Sequence, residues 1–388
     1  MAHGDTGGGE LDAATGRIHP LPPDGVRRPG WRSYTAFVLS GGGARGALQV
    51  GALRALLEYG ERPDVIVGTS IGAWNGVMLA RTPSLAGVEQ LERIWRSLTP
   101  TKVLLGRDPY VAPLAPYVTP PPQAVAGALV VAAIGRITRG YPSLYSDAGL
   151  RLLIHEHLHG VTFEELSIPT RVVASNLSAG ELAIFQTGPV ELPLLASSAI
   201  PGVFPPVRLN SQTYVDGGAM ENASVDAALA LGARRIFILD VGYDDSPTAD
   251  ALITRSLERS GSRTRGANGS IPAGSTTNAN SVHALAAVME RVSQVMGRYQ
   301  LHQALTRLPR GVEAHVIRPS TPGGGGALDF GQGALWIEHA YAFTQRYLRA
   351  TSPRLSATGE QARAPADAAP PGASASRLGA ASSGAAHW

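Results

Sequence analysis

Between positions 34 and 350 the apolar residues fall into two alternating patterns. Short apolar runs, TAFVLS (35–40), DVIVG (64–68), TRVVASNL (170–177), TYVDGG (213–218), RRIFILDVG (234–242) and VEAHVIRPS (312–320), read as strands buried in a sheet. Between them lie segments whose apolar positions recur at helical spacing: 44–60, 71–80, 150–169, 223–233, 282–308 and 334–350. The first of these helices is expected to stop at Gly60. Buried strands alternating with helices predict an α/β fold, a three-layer α/β/α sandwich around a mainly parallel sheet.

Residues 1–32 and 351–388 are rich in Gly, Pro, Ala and Ser and lack apolar periodicity. They read as disordered tails flanking one domain at 33–350. Within that domain 255–281 reads as a long mobile loop. The apolar, proline-rich stretch 101–141 reads either as a partly buried insertion or as a cap that touches lipid. Its longest apolar run, AVAGALVVAAI (124–134), is shorter than the roughly 18–20 residues of a membrane span. The first residues lack the basic and apolar regions of a signal peptide. The expected location is the cytoplasm, with any membrane contact peripheral.

Composition narrows the chemistry. The 388-residue chain has a net charge of +3 and no run of basic residues of the kind that tracks phosphates, so no nucleic-acid partner is expected. Cysteine is absent, which excludes disulfides, thiolate metal sites and a Cys nucleophile.

Three short motifs carry candidate chemistry. Gly68–Thr69–Ser70–Ile71–Gly72 fits G-x-S-x-G between a strand and a helix, which suits either a nucleophilic serine on a sharp turn or a plain turn and helix cap. The stretch SGGGARG, with Gly41, Gly42, Gly43, Arg45 and Gly46, also joins a strand to a helix. It lacks the Gly-Lys-Ser/Thr of a phosphate-binding loop, although Glu58 or Glu61 could hold a ribose in a nucleotide reading. Its other use is as an oxyanion hole made of backbone N–H groups. In YVDGG, Asp216 ends a strand before Gly217 and Gly218, either as an ordinary Asp-Gly turn or as a carboxylate presented at the ligand-binding edge of a sheet.

Taken together and in this order, GGGxRG, GxSxG and DGG resemble the patatin-like phospholipase family. The similarity extends over 37–80 and 196–233, with SIPTRVVASNLSAGELAIF between them, and covers about residues 34–350 apart from 101–141 and 255–281. The resemblance implies a Ser–Asp dyad that hydrolyses acyl esters of lipids without a metal or other cofactor. Carried over, Ser70 is the nucleophile and Asp216 the base. The amides of Gly41, Gly42 and Gly43 form the oxyanion hole, and Arg45 helps to hold that loop. Gly46, Gly68, Gly72, Gly217 and Gly218 support the motifs. The family often shows Asn-x-Pro after DGG, whereas Asn222 is followed here by Ala223 and Ser224. An aspartate of ordinary pKa about 3.9 is a weak base at neutral pH, so such a site must partly desolvate it or lean on the oxyanion hole. A non-catalytic lipid-binding module on the same fold, or a lipid acyltransferase, are the alternative functions.

Other signals point elsewhere. HEHLH (155–159) matches H-E-x-x-H, with His155 and His159 at i, i+4, but no third ligand follows at the expected spacing, so it reads as a solvated helix face and no metal is expected. His283, His302, His315, His339 and His387 follow Asp216, as the third member of a Ser-Asp-His triad would, yet none sits on an evident strand-to-helix turn. Asp244 and Asp245 read as a polar loop after a strand.

Overall fold

The computed structural model describes residues 9–11, 18–20, 34–105, 136–242 and 279–360. The chain divides into two compact units, Met1–Leu348 and Arg349–Trp388; of the second, only the end of the last helix is described. The segments 106–135 and 255–278, most of the expected cap and loop, lie outside the described residues, as do Asp244, Asp245 and His387.

In chain order, two short strands, β1 (Gly9–Leu11) and β2 (Ile18–Pro20), pair antiparallel within the stretch expected as a tail. The domain proper begins with β3 (Tyr34–Leu39), α1 (Gly46–Tyr59), β4 (Val65–Thr69), α2 (Ile71–Arg81) and α3 (Leu85–Ser97). Gly60 ends α1 in the left-handed conformation at φ 97°. After the insertion come α4 (Ala148–Leu158), β5 (Thr170–Asn176), β6 (Glu181–Phe185), α5 (Glu191–Ser197), β7 (Val207–Leu209) and β8 (Gln212–Asp216). The chain then forms α6 (Val225–Ala230), β9 (Ala233–Leu239), α7 (Ala279–Thr306), β10 (Glu313–Ile317) and α8 (Gly333–Glu360). The last helix continues past 350, where the sequence pattern places the start of a tail.

Among the described residues eight strands form one sheet, in the order β10-β9-β3-β4-β5-β8-β7, with β6 also paired to β5. Strands β10, β9, β3, β4 and β5 run parallel; β6, β7 and β8 are joined by antiparallel pairings. One face of the sheet, through Ala36, Val38, Val65, Val67, Ile236 and Ile238, packs on Val225 and Ala228 of α6 and Leu301 and Ala304 of α7. The other face presents Phe37 and Phe237, edge to face at 5.6 Å, on the side where His315 meets Tyr347 of α8. Strands buried on both faces give the continuous apolar runs seen in the sequence.

The register at β5 sets the position of the site. Strand β6 closes one edge of β5 over Val172–Asn176. The opposite edge is therefore shared: β4 pairs with Thr170–Val173, and β8 pairs with Ala174–Asn176. Thr69 lies opposite Val173 and Asp216 opposite Ala174, so two strands running toward each other end at adjacent residues of β5.

A buried polar chain ties the helices to the end of β3. The Trp95 indole donates to Asn75 Oδ1 (3.0 Å), Asn75 Nδ2 donates to Gln49 Oε1 (2.9 Å), and Gln49 Nε2 donates to the Ser40 carbonyl (2.8 Å). Gln49 and Asn75 are fully buried, so each lost partner strands a polar group away from water. Gln49→Met keeps the volume and removes the amide. It is expected to lower the free energy of unfolding by about 2–4 kcal/mol, read from urea denaturation.

Candidate active site

Ser70 stands between the last residue of β4 and the first of α2, at φ 55° and ψ −125°. Among the described residues the other non-glycine positions with positive φ are Asn210 and Ser211, in the hairpin turn between β7 and β8. A serine held in this region costs about 1–3 kcal/mol and persists only where the surroundings enforce it. Gly72 is part of that enforcement. A side chain there would collide with the Leu39 carbonyl, so only glycine lets the start of α2 pass β3 this closely. Gly68 sits against the backbone of Ala73 in the same turn.

Ser70 is a helix N-cap by position but not by bonding: its hydroxyl makes no capping hydrogen bond. The hydroxyl lies beside the carboxylate of Asp216 and favours its charged form. The Ser70 amide donates to Ser197 Oγ (2.8 Å), and Ser197 in turn donates to the Val173 carbonyl (2.6 Å). The last residue of α5 thus fastens the serine turn to β5.

Asp216 keeps the bond of an ordinary Asp-Gly turn, accepting from the Gly218 amide at 2.8 Å, and lies beside the Ser70 hydroxyl. Its own amide donates to the Ala199 carbonyl (2.9 Å), and Ser175 Oγ donates to its carbonyl (3.0 Å). Gly217 lies against the Val173 carbonyl, and Gly218 lies beside both Asp216 and Asn222. Burial pushes the carboxyl up from the usual 3.8 to about 6, against the opposing pull of the Ser70 and Gly218 hydrogen bonds. Desolvation of this kind makes a carboxylate a stronger base.

The glycine loop flanks the serine. A side chain on Gly41 would sit 3.1 Å from Ser70 Cβ and 2.5 Å from Asn222 Oδ1. The Gly41 amide is already committed, donating to the Asn222 carbonyl at 3.1 Å, which removes it from the expected set of oxyanion donors. The amides of Gly42 and Gly43 have no protein acceptor among the described residues. Arg45 is buried; its Nε donates to the Val241 carbonyl (3.0 Å) and it forms an ion pair with Glu290 of α7 (2.8 Å). Glu290 also accepts from the Ala327 amide (3.0 Å), and the Ala44 amide donates to the Ala327 carbonyl (2.7 Å). Gly46 begins α1 packed against Ile71 and Trp95.

Sequence reasoning missed Asn222 as a working residue. It accepts from the Gly41 amide and donates through Nδ2 to the Gly41 carbonyl (3.2 Å), locking the glycine loop to the turn after Asp216. Ser197, Ser175 and Glu290 were also missed, because none lies within a motif. The carboxylate partners of Asp216 among the described residues are Ser70 and Gly218. His315 instead bonds to Tyr347 (3.3 Å) and His339 to Ser320 (3.2 Å), so the described residues supply no triad histidine. His155 and His159 face Glu191.

The α/β fold thus gathers a serine on a strained strand-to-helix turn, a buried aspartate and a glycine loop at one place. The family model described as patatin-like phospholipase matches residues 37–229, from β3 through α6, and the chain belongs to that family. It is 28% identical over 212 residues to patatin-like phospholipase domain-containing protein 7 of Rattus norvegicus, a match covering 54% of this chain and 14% of the relative. It is 28% identical over 211 residues to neuropathy target esterase sws of Drosophila melanogaster, covering 54% of this chain and 13% of that protein. The match thus spans about a seventh of the length of these curated relatives. Among solved structures, VipD from Legionella pneumophila aligns with a TM-score of 0.39 and 16% identity, over 82% of this chain and 67% of that one.

The raised Asp216 pKa has a consequence for stability. A folded value above the unfolded one means a contribution fully present below about pH 3.8 and lost as the pH rises through about 6. At neutral pH the ionised, buried carboxylate is therefore a cost. Asp216→Asn is expected to be more stable than the native chain above pH 6, by up to about 3 kcal/mol, with the advantage vanishing near pH 4. Thermal or urea unfolding at the two pH values measures it.

Proposed function

We propose that the protein is a serine acyl hydrolase acting on acyl esters of lipids, of phospholipase A, lysophospholipase or esterase type. The observation that carries this reading is the Ser70 hydroxyl set beside the buried Asp216 carboxylate, next to amides that lack a protein acceptor among the described residues. Asp216 takes the proton as Ser70 Oγ attacks the ester carbonyl. The negative charge that develops on the carbonyl oxygen falls to the Gly42 and Gly43 amides, donors of a kind worth about 10²–10³ in rate each. Collapse of the tetrahedral intermediate expels the alcohol, which receives the proton from Asp216, and leaves an acyl-enzyme. Asp216 then activates water to release the fatty acid. An acceptor alcohol in place of that water would make the protein an acyltransferase, and a chain that held lipid without this step would be a binding module.

A fluorophosphonate probe is expected to label the native chain once and Ser70→Ala not at all, read by intact mass. Asp216→Asn is expected to lose about 10²–10⁴ in ester turnover. Absence of labelling in the native chain would decide for the binding module. Product analysis by mass spectrometry, with and without added alcohol, separates hydrolysis from acyl transfer. In the native chain kcat/KM is expected to fall as the pH drops through about 6, because protonated Asp216 cannot accept the serine proton.

The lipid is met at a surface. No described helix is long and apolar enough to cross a membrane. Helix α7, however, exposes Met289, Val292, Val295, Met296 and Tyr299 at helical spacing. The same helix braces the site through Glu290 on Arg45 and Gly297 against Asn222. This stripe supports peripheral docking on lipid next to the dyad. Replacing Met289, Val292 and Met296 together by Ser is expected to reduce sedimentation with phosphatidylcholine vesicles while leaving turnover of a short soluble ester intact. Unchanged sedimentation would remove the stripe from the reading.

A further inference from the structure

The H-E-x-x-H segment on α4 acquires in the fold the third group that its sequence lacks. His155 and His159 are one helical turn apart, with side chains 60% and 68% exposed and rings 4.1 Å apart between centroids. Ile154 and Leu158, one residue before each histidine, are buried in the core, and the two imidazoles, at i and i+4, project from one side. Glu191, the first residue of α5, meets them there. Its Oε1 lies 3.3 Å from His155 Nδ1 and 3.5 Å from His159 Nδ1, and one ligand atom from each residue falls within 4.8 Å of the others.

We infer that His155, His159 and Glu191 form a site for a divalent transition-metal ion, zinc foremost, that clips α4 to α5. The donor set, two imidazoles and one carboxylate with a fourth position open, is one that zinc takes. Zinc bonds of about 2.0–2.1 Å at tetrahedral angles place neighbouring ligand atoms about 3.3–3.4 Å apart, close to the two separations seen. One dication between the three groups meets all of them at once. Arg151, the cation beside the cluster, is drawn away by its ion pair with Asp147 at 2.8 Å. The cluster borders a groove of about 510 Å³, where Leu152 and Leu192 are exposed and water can reach the open ligand position.

The site lies apart from the dyad and connects to it. Glu191 opens α5 and Ser197 closes it, and Ser197 accepts the hydrogen bond from the Ser70 amide. A metal bound at one end of this two-turn helix therefore steadies the residue that holds the nucleophile turn at the other. The inference does not rest on the hydrolase reading, since binding and stability report it without any turnover.

The test uses the full chain, stripped with EDTA and dialysed. Titration with zinc chloride in a calorimeter is expected to give one equivalent of binding and a rise in thermal midpoint. Cobalt(II) is expected to give the intense visible absorption of a low-coordinate site. His159→Ala and Glu191→Gln should each weaken zinc binding at least tenfold and abolish the rise in midpoint, while melting like the native chain in EDTA. His155→Ala serves as the independent check should either fail to fold. The inference is overturned if the native chain binds no zinc, if the substitutions leave affinity unchanged, or if magnesium, which prefers all-oxygen sites, gives the same stabilisation.

Discussion

One edge of β5 carries two strands end to end, and the candidate site exists because of it. A parallel strand, β4, delivers the chain to Ser70 from one direction. An antiparallel strand, β8, delivers it to Asp216 from the other. Because β6 already covers the far edge of β5, the two incoming strands have only the near edge to share, and their ends must abut. No long loop has to find its partner. The ladder hydrogen bonds of the sheet, which are among the least yielding contacts in a fold, set the separation of Ser70 and Asp216. Everything else at the site, from the Ser197 tether to the glycine loop, trims a geometry that strand pairing has already fixed.

Within that frame the site runs against local preference twice. Ser70 holds a backbone conformation that its side chain disfavours, and Asp216 keeps a carboxylate out of water. Both costs fall on the same few residues, and the surrounding bonds are arranged to sustain them. Ser197 and Ser175 satisfy the backbone around the two residues, and the Trp95–Asn75–Gln49 chain stiffens the helices behind the glycine turn. A serine left free to cap α2 would spend its hydroxyl on the helix. The strained turn aims it at the aspartate instead.

Much of this was legible in the sequence. The buried parallel strands announced themselves as unbroken apolar runs, and the three glycine motifs marked the turns because a side chain there meets backbone. The antiparallel reversal at β8 was not legible, because a five-residue strand carries no mark of its direction. Nor could spacing show that the Gly41 amide is taken by Asn222, which lies 181 residues away in the chain. Glu191 is silent in the sequence for the same reason: it belongs to the next helix and meets His155 and His159 only in the fold. Residues whose work is defined by a partner far along the chain leave no local pattern to read.

Asn222 bears on how such a site can be altered or moved. It fills a space bounded by Gly41, Gly218, Gly242 and Gly297, contributed by four separate segments. A larger residue at any of the four presses on the asparagine and, through it, on the loop beside Ser70. These five positions therefore behave as one part rather than five, and have to change together. Transplanting the DGG turn into another scaffold, or diversifying the glycine loop alone in a library, separates pieces of that part. An engineer who wants to move the Ser70–Asp216 pair must carry over the asparagine and the four gaps made for it.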